Sequence, residues 1–333
     1  MAQHGSTNLE HQIRSQPEQL SRLLTEGHVR EQIHIMAEGL HRVRRIWVVG
    51  TGSSQHVAHL GAAMLQDAGR SAHAVSSMQF VRNAPIVGPH DGVVIITHTG
   101  ESAYAVAARA LAFTAGLQTV TITHRGTALN DAIETVDLET SATNSVGYTT
   151  ALLAVGLLAA EMGADSVTID ALAAVPEAVS AALADTGTQQ VPAPRRALVL
   201  VGAGPAAISA HEGAVKLREA ARVLAEGFDI EYLLHGSAVP LGGDDHLVAL
   251  VTPDEDGLVH AVATAAEGAG VGVTRVPETS ALPPLLTQIP YAARLQVLAL
   301  RLALAKGQDP DVVATGAWAD PSLWAIGAPR PGV

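Results

Sequence analysis

Two hydroxyl-rich segments follow apolar stretches of the sequence and have the composition of anion-binding loops. The first is residues 50–55 (GTGSSQ), directly after a strand predicted over 45–50. The second is residues 97–102 (THTGES), at the end of a strand predicted over 92–97. Each leads into a predicted helix, whose unpaired N–H groups and dipole favour a negative charge. Together they suit a phosphate, whereas either loop alone is equally typical of a capped helix.

The first segment also approaches the dinucleotide fingerprint G-x-G-x-x-G. Its third glycine is replaced by Gln55, and the next predicted strand, residues 71–77, has no acidic residue to hold a ribose. We therefore expect no nicotinamide cofactor, and no other cofactor or metal. The 15 histidines include no His-x-x-x-His or His-Glu-x-x-His pattern of the kind that binds zinc on a helix.

A third group of chemistry-bearing residues lies in the second half of the chain. Glu212, Lys216 and Glu219 recur at about one helical turn, so a helix places them on one face. His235 and Gly236 follow further along the chain. Such a face is equally typical of a solvated stripe of ion pairs, and His235 of a surface histidine. A carboxylate, an ammonium and an imidazole are also the groups that move protons and stabilise an oxyanion.

The elements that must position these residues alternate between short apolar strands and helices. This alternation predicts an α/β fold with parallel sheets between helices, a three-layer αβα sandwich. The pattern occurs twice, because residues 48–52 parallel 200–204 and residues 94–101 parallel 248–255. We therefore predict a duplicated domain. Only the first copy is expected to bind phosphate, since the second copy has proline, alanine and carboxylates in place of the hydroxyls.

The predicted helices and domain limits complete this outline. Helices are expected over residues 28–40, 145–162 and 166–185, and over 8–24 with Pro17 starting a separate turn. The expected organisation is a helical segment at 1–40, a first domain at 41–187, a linker at 188–194, a second domain at 195–308 and a tail at 309–333.

Composition excludes several functional classes. The 333 residues have a net charge of −12, which argues against nucleic-acid binding. We find no apolar run long enough to span a membrane and no signal peptide, so a cytoplasmic protein is expected. Cysteine is absent, which removes disulfides and thiol catalysis. Lysine occurs only at Lys216 and Lys306, so imine chemistry has two candidates at most.

In this order and at these intervals, the motifs resemble the tandem sugar isomerase (SIS) domain family over nearly the whole chain. The similarity is greatest to the isomerase half of glutamine–fructose-6-phosphate aminotransferase and to related stand-alone phosphosugar isomerases and deaminases. The segments that carry it are residues 10–24 (EHQIRSQPEQLSRLL), 51–55 (TGSSQ), 97–102 (THTGES), 146–150 (VGYTT), 214–219 (AVKLRE) and 235–236 (HG).

The resemblance implies two tandem SIS-type domains, with binding roles in the loops and catalytic roles in the second half. Glu219 falls on the carboxylate that moves a proton between C1 and C2 of the sugar. His235 falls on the histidine that opens the sugar ring, and Lys216 on a lysine near the developing enolate oxygen. The implied partner is a phosphorylated sugar or amino sugar, bound by a homodimer with active sites near the subunit interface. The residues implied to bind it are Ser53, Ser54, Thr97, His98, Thr99, Ser102, Val146 and Tyr148.

Departures from the family pattern bear on the reaction. The family's tail lysine is missing here, where Trp318 lies near that place, and this argues against amination. Because cysteine is absent, we expect no attached glutaminase with a Cys nucleophile. His98 replaces a glutamine and adds a potential positive charge, and Ser237 replaces a proline. We therefore expect a glutamine-independent isomerase or deaminase of a sugar 6-phosphate. A phosphosugar sensor without turnover is the alternative.

Overall fold

The chain divides into two compact units, neither of which is continuous in sequence. A computed structural model describes residues 6–83, 87–129, 132–253, 256–320 and 322–323. The first-sheet unit comprises Glu18–Glu139, Val146–Ala174 and Ala314–Val333. The second-sheet unit comprises Met1–Pro17, Thr140–Ser145 and Val175–Val313. The continuous domain limits expected from the sequence stay a prediction.

The first-sheet unit is built around five parallel strands in the order β2-β1-β3-β4-β5. All six residues of β3 are buried, as expected of a parallel strand with helices on both faces. The strands are β1 (Arg45–Gly50), β2 (Ala72–Ser76), β3 (Asp91–Ile96), β4 (Gln118–Thr123) and β5 (Ala132–Glu134). The helices, after the N-terminal α1 (Asn8–Thr25), are α2 (Gly27–His41), α3 (Ser53–Asp67), α4 (Ser77–Arg82), α5 (Ala103–Thr114), α6 (Val146–Glu161) and α7 (Ile169–Ala173).

Helix α6 is the most completely enclosed helix of this unit. Fourteen of its 16 residues are buried, because its sequence is apolar or hydroxyl-bearing on every side until Glu161. Even so, no helix within the described ranges is both long and apolar enough to cross a lipid bilayer.

The second-sheet unit contains four parallel strands in the order β7-β6-β8-β9. Leu198 and Leu200 of β6 pack into one apolar cluster and Val199 and Val201 into another, so both faces of the sheet are covered. The strands are β6 (Leu198–Gly202), β7 (Ala225–Asp229), β8 (His246–Val251) and β9 (Gly272–Pro277). The helices are α8 (Val175–Ala184), α9 (Pro205–Ala221), α10 (Ile230–Tyr232), α11 (Leu258–Gly268) and α12 (Gln288–Ala305).

The four strands of the second sheet repeat the order of the first four strands of the first sheet, which confirms the predicted tandem α/β architecture. The turns after β1 and β6 also match in detail. Gly52 and Gly204 have φ angles of +57° and +52°, a region that favours glycine. A Cβ atom on Gly50 or Gly202 would lie 2.2 or 2.5 Å from the backbone of the following helix. Glycine is therefore needed twice in each turn, for close approach and for backbone conformation.

Two predicted details are wrong, and one strand was not predicted. Pro17 lies inside α1 instead of starting a separate turn. The helix predicted over 166–185 is divided into α7 and α8, and Pro176 at the start of α8 lacks the N–H that a continuous helix requires. Strand β7 was missed because its sequence, AEGFD, has little strand character. Gly227 allows it to lie against α9, since a Cβ atom there would be 2.4 Å from the His211 nitrogen.

Candidate active site

The two hydroxyl-rich loops leave the same edge of the first sheet. Strands β1 and β3 pair in parallel with Val49 opposite Ile95, so both loops follow the carboxyl ends of neighbouring strands. Ligands bind at this edge in open parallel sheets. The first loop turns at Gly52, and α3 begins at Ser53 directly after it.

Serine hydroxyls in these loops have no hydrogen-bond partner among the described residues. Ser53 and Ser54 are half-buried in the first turn of α3, which receives no side-chain cap. Ser102 is the N-cap residue of α5, yet its hydroxyl makes no capping bond. Thr99 Oγ1 instead accepts the N–H of Glu101 at 3.1 Å. Helix capping therefore does not account for the three serines, whose hydroxyls remain free to bind a ligand.

The second loop also offers backbone N–H groups. Those of His98, Thr99 and Gly100 have no acceptor within the part of the chain that the structure describes. The loop is held through the carbonyl oxygen of His98, to which Thr123 Oγ1 donates at 3.2 Å and His124 Nδ1 at 2.8 Å. Gly100 has a φ angle of +71°. Successive free N–H groups form a concavity suited to an anion.

His98 is neutral at physiological pH, which corrects the positive charge expected from the sequence. Burial, with a smaller contribution from the charge of His124, lowers the pKa of His98 to about 4. The backbone N–H of Glu139 donates to His98 Nε2 at 3.1 Å, so the proton of the neutral ring lies on Nδ1. Nδ1 has no acceptor among the described residues. His98 therefore supplies an uncharged hydrogen-bond donor.

Glu139 is a residue of this site that was not identified from the sequence. Its side chain is 1% exposed. The carboxylate accepts the N–H groups of Val146 and Gly147 at 3.2 and 2.9 Å and so caps α6. A Cβ atom on Gly147 would lie 2.5 Å from Glu139 Oε2 and 2.7 Å from His98 Nδ1. The sequence carried no clear signal, because Glu139 precedes α6 at a spacing that matches no capping motif.

Three residues implied to bind the substrate are almost fully buried. Val146 and Tyr148, in the first turn of α6, are each 4% exposed. Thr97 is 5% exposed, and its hydroxyl is buried without a hydrogen-bond partner in the described chain. The binding roles of these side chains stay predictions.

In the second-sheet unit, α9 brings Glu212, Lys216 and Glu219 together on one face, as their spacing predicts. Lys216 Nζ lies 2.7 Å from Glu219 Oε2 and 3.6 Å from Glu212 Oε1. The side chains of Lys216 and Glu212 are 2% and 1% exposed, whereas Glu219 is 28% exposed. This buried ammonium between two carboxylates differs from a solvated stripe. Glu219 is the member that a ligand can reach.

His235 lies on an exposed turn after α10. Leu233–Ser237 form one wide helical turn whose backbone departs from helical angles at His235 and Gly236. The φ angle of Gly236 is +115°, which only glycine adopts readily. Within the described chain the imidazole has no hydrogen-bond partner, so it is bonded neither to Lys216 nor to Glu219.

The first sheet and its loops match a known protein family. The SIS domain family matches residues 39–162, a range that includes both hydroxyl-rich loops, Glu139 and α6. Residues 39–162 thus resemble an SIS domain. The four strands of the second sheet repeat the order of the first four strands of the first sheet, so the chain has the fold of two SIS-type units in tandem.

Curated relatives match most of the chain that contains this SIS domain. Glutamine–fructose-6-phosphate aminotransferase (isomerizing) from Pyrococcus horikoshii is 29% identical over 317 residues, which cover 86% of this chain and 53% of the relative. The protein of the same name from Thermococcus kodakarensis is 28% identical over 317 residues, covering 85% and 53%. The chain thus spans about half the length of the curated relatives it matches.

Solved structures share the tandem SIS fold over nearly the whole chain. Tagatose-6-phosphate ketose/aldose isomerase from Escherichia coli has a TM-score of 0.79 at 19% identity, covering 93% of this chain and 96% of that one. Glucosamine-6-phosphate deaminase from Thermotoga maritima has a TM-score of 0.75 at 16% identity, covering 92% and 97%. At these identities the similarity establishes the fold alone.

The buried histidine of the SIS domain is expected to make its stability depend on pH. An unfolded histidine titrates near 6.5, whereas His98 titrates at about 4 in the folded chain. Between these values the unfolded state binds more protons, so the free energy of unfolding falls as the pH is lowered. From about pH 7 to about pH 5, wild type should lose about 2 kcal/mol more than a His98→Gln variant. Urea denaturation at both pH values measures this difference.

The matched control for this prediction is His260→Gln, because His260 is exposed and lies outside the SIS domain match. It should show the same pH dependence as wild type. Equal losses in wild type and His98→Gln would mean that His98 takes up a proton as readily as an exposed histidine.

Gly147→Ala is expected to destabilise the SIS domain by about 1–3 kcal/mol. The new methyl group would overlap both the Glu139 carboxylate and the His98 ring, at 2.5 and 2.7 Å. Gly27→Ala is the control, because nothing lies within 4 Å of a Cβ atom there. Urea denaturation compares the two variants. Equal stability of Gly147→Ala and Gly27→Ala would contradict the packing of Glu139 and His98 against α6.

Proposed function

We propose that this chain is an enzyme that converts a phosphorylated sugar or amino sugar by proton transfer between C1 and C2. The observation that carries this proposal is the Glu219 carboxylate, held 2.7 Å from the Lys216 ammonium while 28% of the side chain remains exposed. A reachable carboxylate beside a fixed positive charge suits abstraction of a proton next to a carbonyl group.

The phosphate of the substrate would bind at the loops of the first sheet. Support comes from the hydroxyls of Ser53, Ser54 and Ser102 and from the N–H groups of residues 98–100, none of which has a partner in the described part of the chain. His98 adds a neutral donor through Nδ1. Neutral donors hold a phosphate through hydrogen bonds, and the N-terminal ends of α3 and α5 supply the complementary electrostatic field.

The reaction needs three groups, and the chain offers one for each. Glu219 would take a proton from one carbon of the sugar and return it to the neighbouring carbon. Lys216 would stabilise the negative charge on the enediolate oxygen. His235, whose imidazole is exposed and has no hydrogen-bond partner among the described residues, would donate a proton to the ring oxygen as the sugar opens. Glu212 would act as a positioning residue, because it holds Lys216 from the buried side.

The possible reactions differ in whether an amino group is added to the sugar, removed from it or absent. The activities for which the relatives and structural neighbours are named include isomerisation, amination and deamination of sugar 6-phosphates. Isomerisation and deamination use the same proton shuttle. We propose one of these two, independent of glutamine, because the tail lacks the family's lysine.

We also propose a homodimer in which His235 lies near the subunit interface. Support comes from the apolar side chains around it, since Tyr232, Leu234 and Val239 are 66%, 54% and 85% exposed. Apolar groups clustered at a surface are typical of a contact with another chain.

A binding screen followed by a turnover assay tests the proposed function. A phosphorylated hexose, pentose or 2-amino sugar should raise the melting temperature of the chain by binding at the first-sheet loops. The dephosphorylated forms of these sugars should not bind at those loops. A Ser54→Ala/Ser102→Ala double variant should lose that shift in melting temperature. Ser180→Ala, at an exposed position of α8, is the control and should keep it.

A turnover assay with the phosphosugar that binds then tests the reaction. Incubation of that phosphosugar with the chain should release a ketose phosphate, with ammonia if the chain is a deaminase. Binding without either product supports the sensor alternative, and no shift with any phosphosugar contradicts the proposal.

A further inference from the structure

The second sheet has a cavity of about 350 Å³ at its carboxyl edge. Its volume is at the lower end of the range of small-molecule pockets. Thr252 and Pro253, which follow β8, line one part of it, and Ser280, Leu282, Pro284 and Thr287, which follow β9, line another.

This cavity occupies the duplicated position of the phosphate loop. Strand β8 is the counterpart of β3, because each is the third strand of an equivalent order. Thr252 follows β8 directly, as Thr97 follows β3. Beyond Thr252, however, the sequence has Pro253 and three acidic residues in place of the hydroxyls of the first copy. Both copies therefore have residues available to a ligand at the carboxyl ends of their strands, where parallel sheets bind ligands, but the residue types differ between the copies.

The walls of the cavity are held by hydrogen bonds from several elements. The hydroxyl of Tyr291 on α12 donates to the Val251 carbonyl oxygen at 2.6 Å, at the end of β8. The Glu278 N–H donates to the same oxygen at 2.8 Å. Thr287 Oγ1 donates to the Pro284 carbonyl oxygen at 2.8 Å. The cavity is thus formed by the fold before any ligand arrives.

Polar groups of the turn after β9 have unmet hydrogen-bonding capacity. Glu278 is 6% exposed, and its Oε1 accepts the N–H groups of Thr279 and Ser280 at 2.9 and 2.7 Å. Its Oε2 and the hydroxyl of Ser280 are both buried and have no partner among the described residues. Buried groups of this kind favour a ligand that brings hydrogen-bond donors.

The charge around the cavity argues against a phosphate. None of its lining residues is basic. The Glu278 carboxylate, whose Oε1 accepts the N–H of the lining residue Ser280 at 2.7 Å, adds a negative charge next to the cavity wall. Arg294 donates to Thr279 Oγ1 at 3.3 Å but is itself 5% exposed and does not line the cavity.

We propose that this cavity binds a free, unphosphorylated monosaccharide, with a 2-amino sugar bound more tightly than its hydroxyl counterpart. The hydroxyl of Ser280, which has no partner among the described residues, and the hydroxyl-bearing lining residues Thr252 and Thr287 match the polar rim of a sugar, and the proline and leucine side chains match its C–H faces. The Glu278 carboxylate favours an ammonium group over a hydroxyl. This site is separate from the phosphate loops and does not depend on the proposed function.

Isothermal titration of the full chain with D-glucosamine, D-glucose and D-glucose 6-phosphate tests this site. D-glucosamine should bind about tenfold more tightly than D-glucose, a difference of about 1.4 kcal/mol. Ala281→Trp, which places a large ring on an exposed lining residue, should weaken the binding of both free sugars at least about tenfold. Glu278→Gln, which keeps Oε1 as an acceptor, should reduce D-glucosamine affinity to that of D-glucose.

Two controls separate this site from the first-sheet loops. Ala265→Trp, on an exposed position of α11, should leave both free sugars bound as in wild type. The Ser54→Ala/Ser102→Ala double variant should also retain them, even where it loses the phosphosugar. Loss of free-sugar binding in that double variant, with retention in Ala281→Trp, would place the free sugar at the first sheet and overturn the proposal. The proposal would also be overturned if neither free sugar bound. The same holds if D-glucose 6-phosphate bound more tightly than D-glucosamine and Ala281→Trp abolished that binding.

Discussion

A Glu219→Gln variant is expected to lose turnover of its phosphosugar by about 10²- to 10⁴-fold while binding that sugar nearly as tightly as wild type. Glutamine keeps the shape of the side chain and an oxygen that can accept the Lys216 ammonium, now 2.7 Å from Glu219 Oε2. It cannot take up a proton from C1 or C2. The substitution therefore removes the proposed base without removing the local packing.

Steady-state rates of ketose formation and titration of the phosphosugar would measure the two effects separately. Glu226→Gln is the matched control, because Glu226 is 52% exposed and pairs only loosely, at 3.5 Å, with exposed Arg218. It should leave both quantities unchanged. If Glu219→Gln kept more than about a tenth of wild-type turnover, the base would have to be another group.

Lys216→Met is expected to lower the free energy of unfolding by about 3–5 kcal/mol. Glu212 is 1% exposed, and Lys216 Nζ lies 3.6 Å from its carboxylate. In the variant, the Glu212 carboxylate would be buried beside the apolar methionine side chain, without the ammonium of Lys216 and with little access to water. The large loss of stability therefore comes from the buried charge of Glu212.

A Glu212→Gln/Lys216→Met double variant should recover most of this loss, because the buried charge is removed from both partners. Urea denaturation measures the free energies, with Lys306→Met as the control for the other lysine, which is exposed and donates to the Ala221 carbonyl oxygen. An equal, small effect of Lys216→Met and Lys306→Met would contradict a buried ion pair. Since the double variant should fold without the ammonium, its turnover would show what Lys216 contributes to the reaction.

Local sequence patterns determined the strands and the place of the loops. The predicted limits of β1 agree with the structure, and β3 is displaced by one residue, because buried parallel strands are continuous apolar runs. The loops at 50–55 and 97–102 could be predicted since each directly follows such a run. The spacing of Glu212, Lys216 and Glu219 likewise predicted a shared helix face, because the helical repeat is a local property.

Weakly patterned elements could not be predicted in the same way. Strand β7 contains Gly227 and two acidic residues, and it is a strand because β6 pairs with it. The interruption between α7 and α8 falls where Pro176 follows an otherwise favourable helical sequence. In both places the neighbouring structure outweighs the local preference of the residues.

Only the tertiary structure decided the electrostatics of the two groups of site residues. The Glu139 N–H bonds to His98 across 41 positions of sequence, and burial, together with His124, keeps the histidine uncharged. The same enclosure distinguishes Glu212, at 1% exposure, from Glu219, at 28%, although both are glutamates on one helix face. The types and spacing of these residues can be read from the sequence. Their ionisation depends on how far neighbouring elements exclude water from them, and those elements come from distant parts of the sequence.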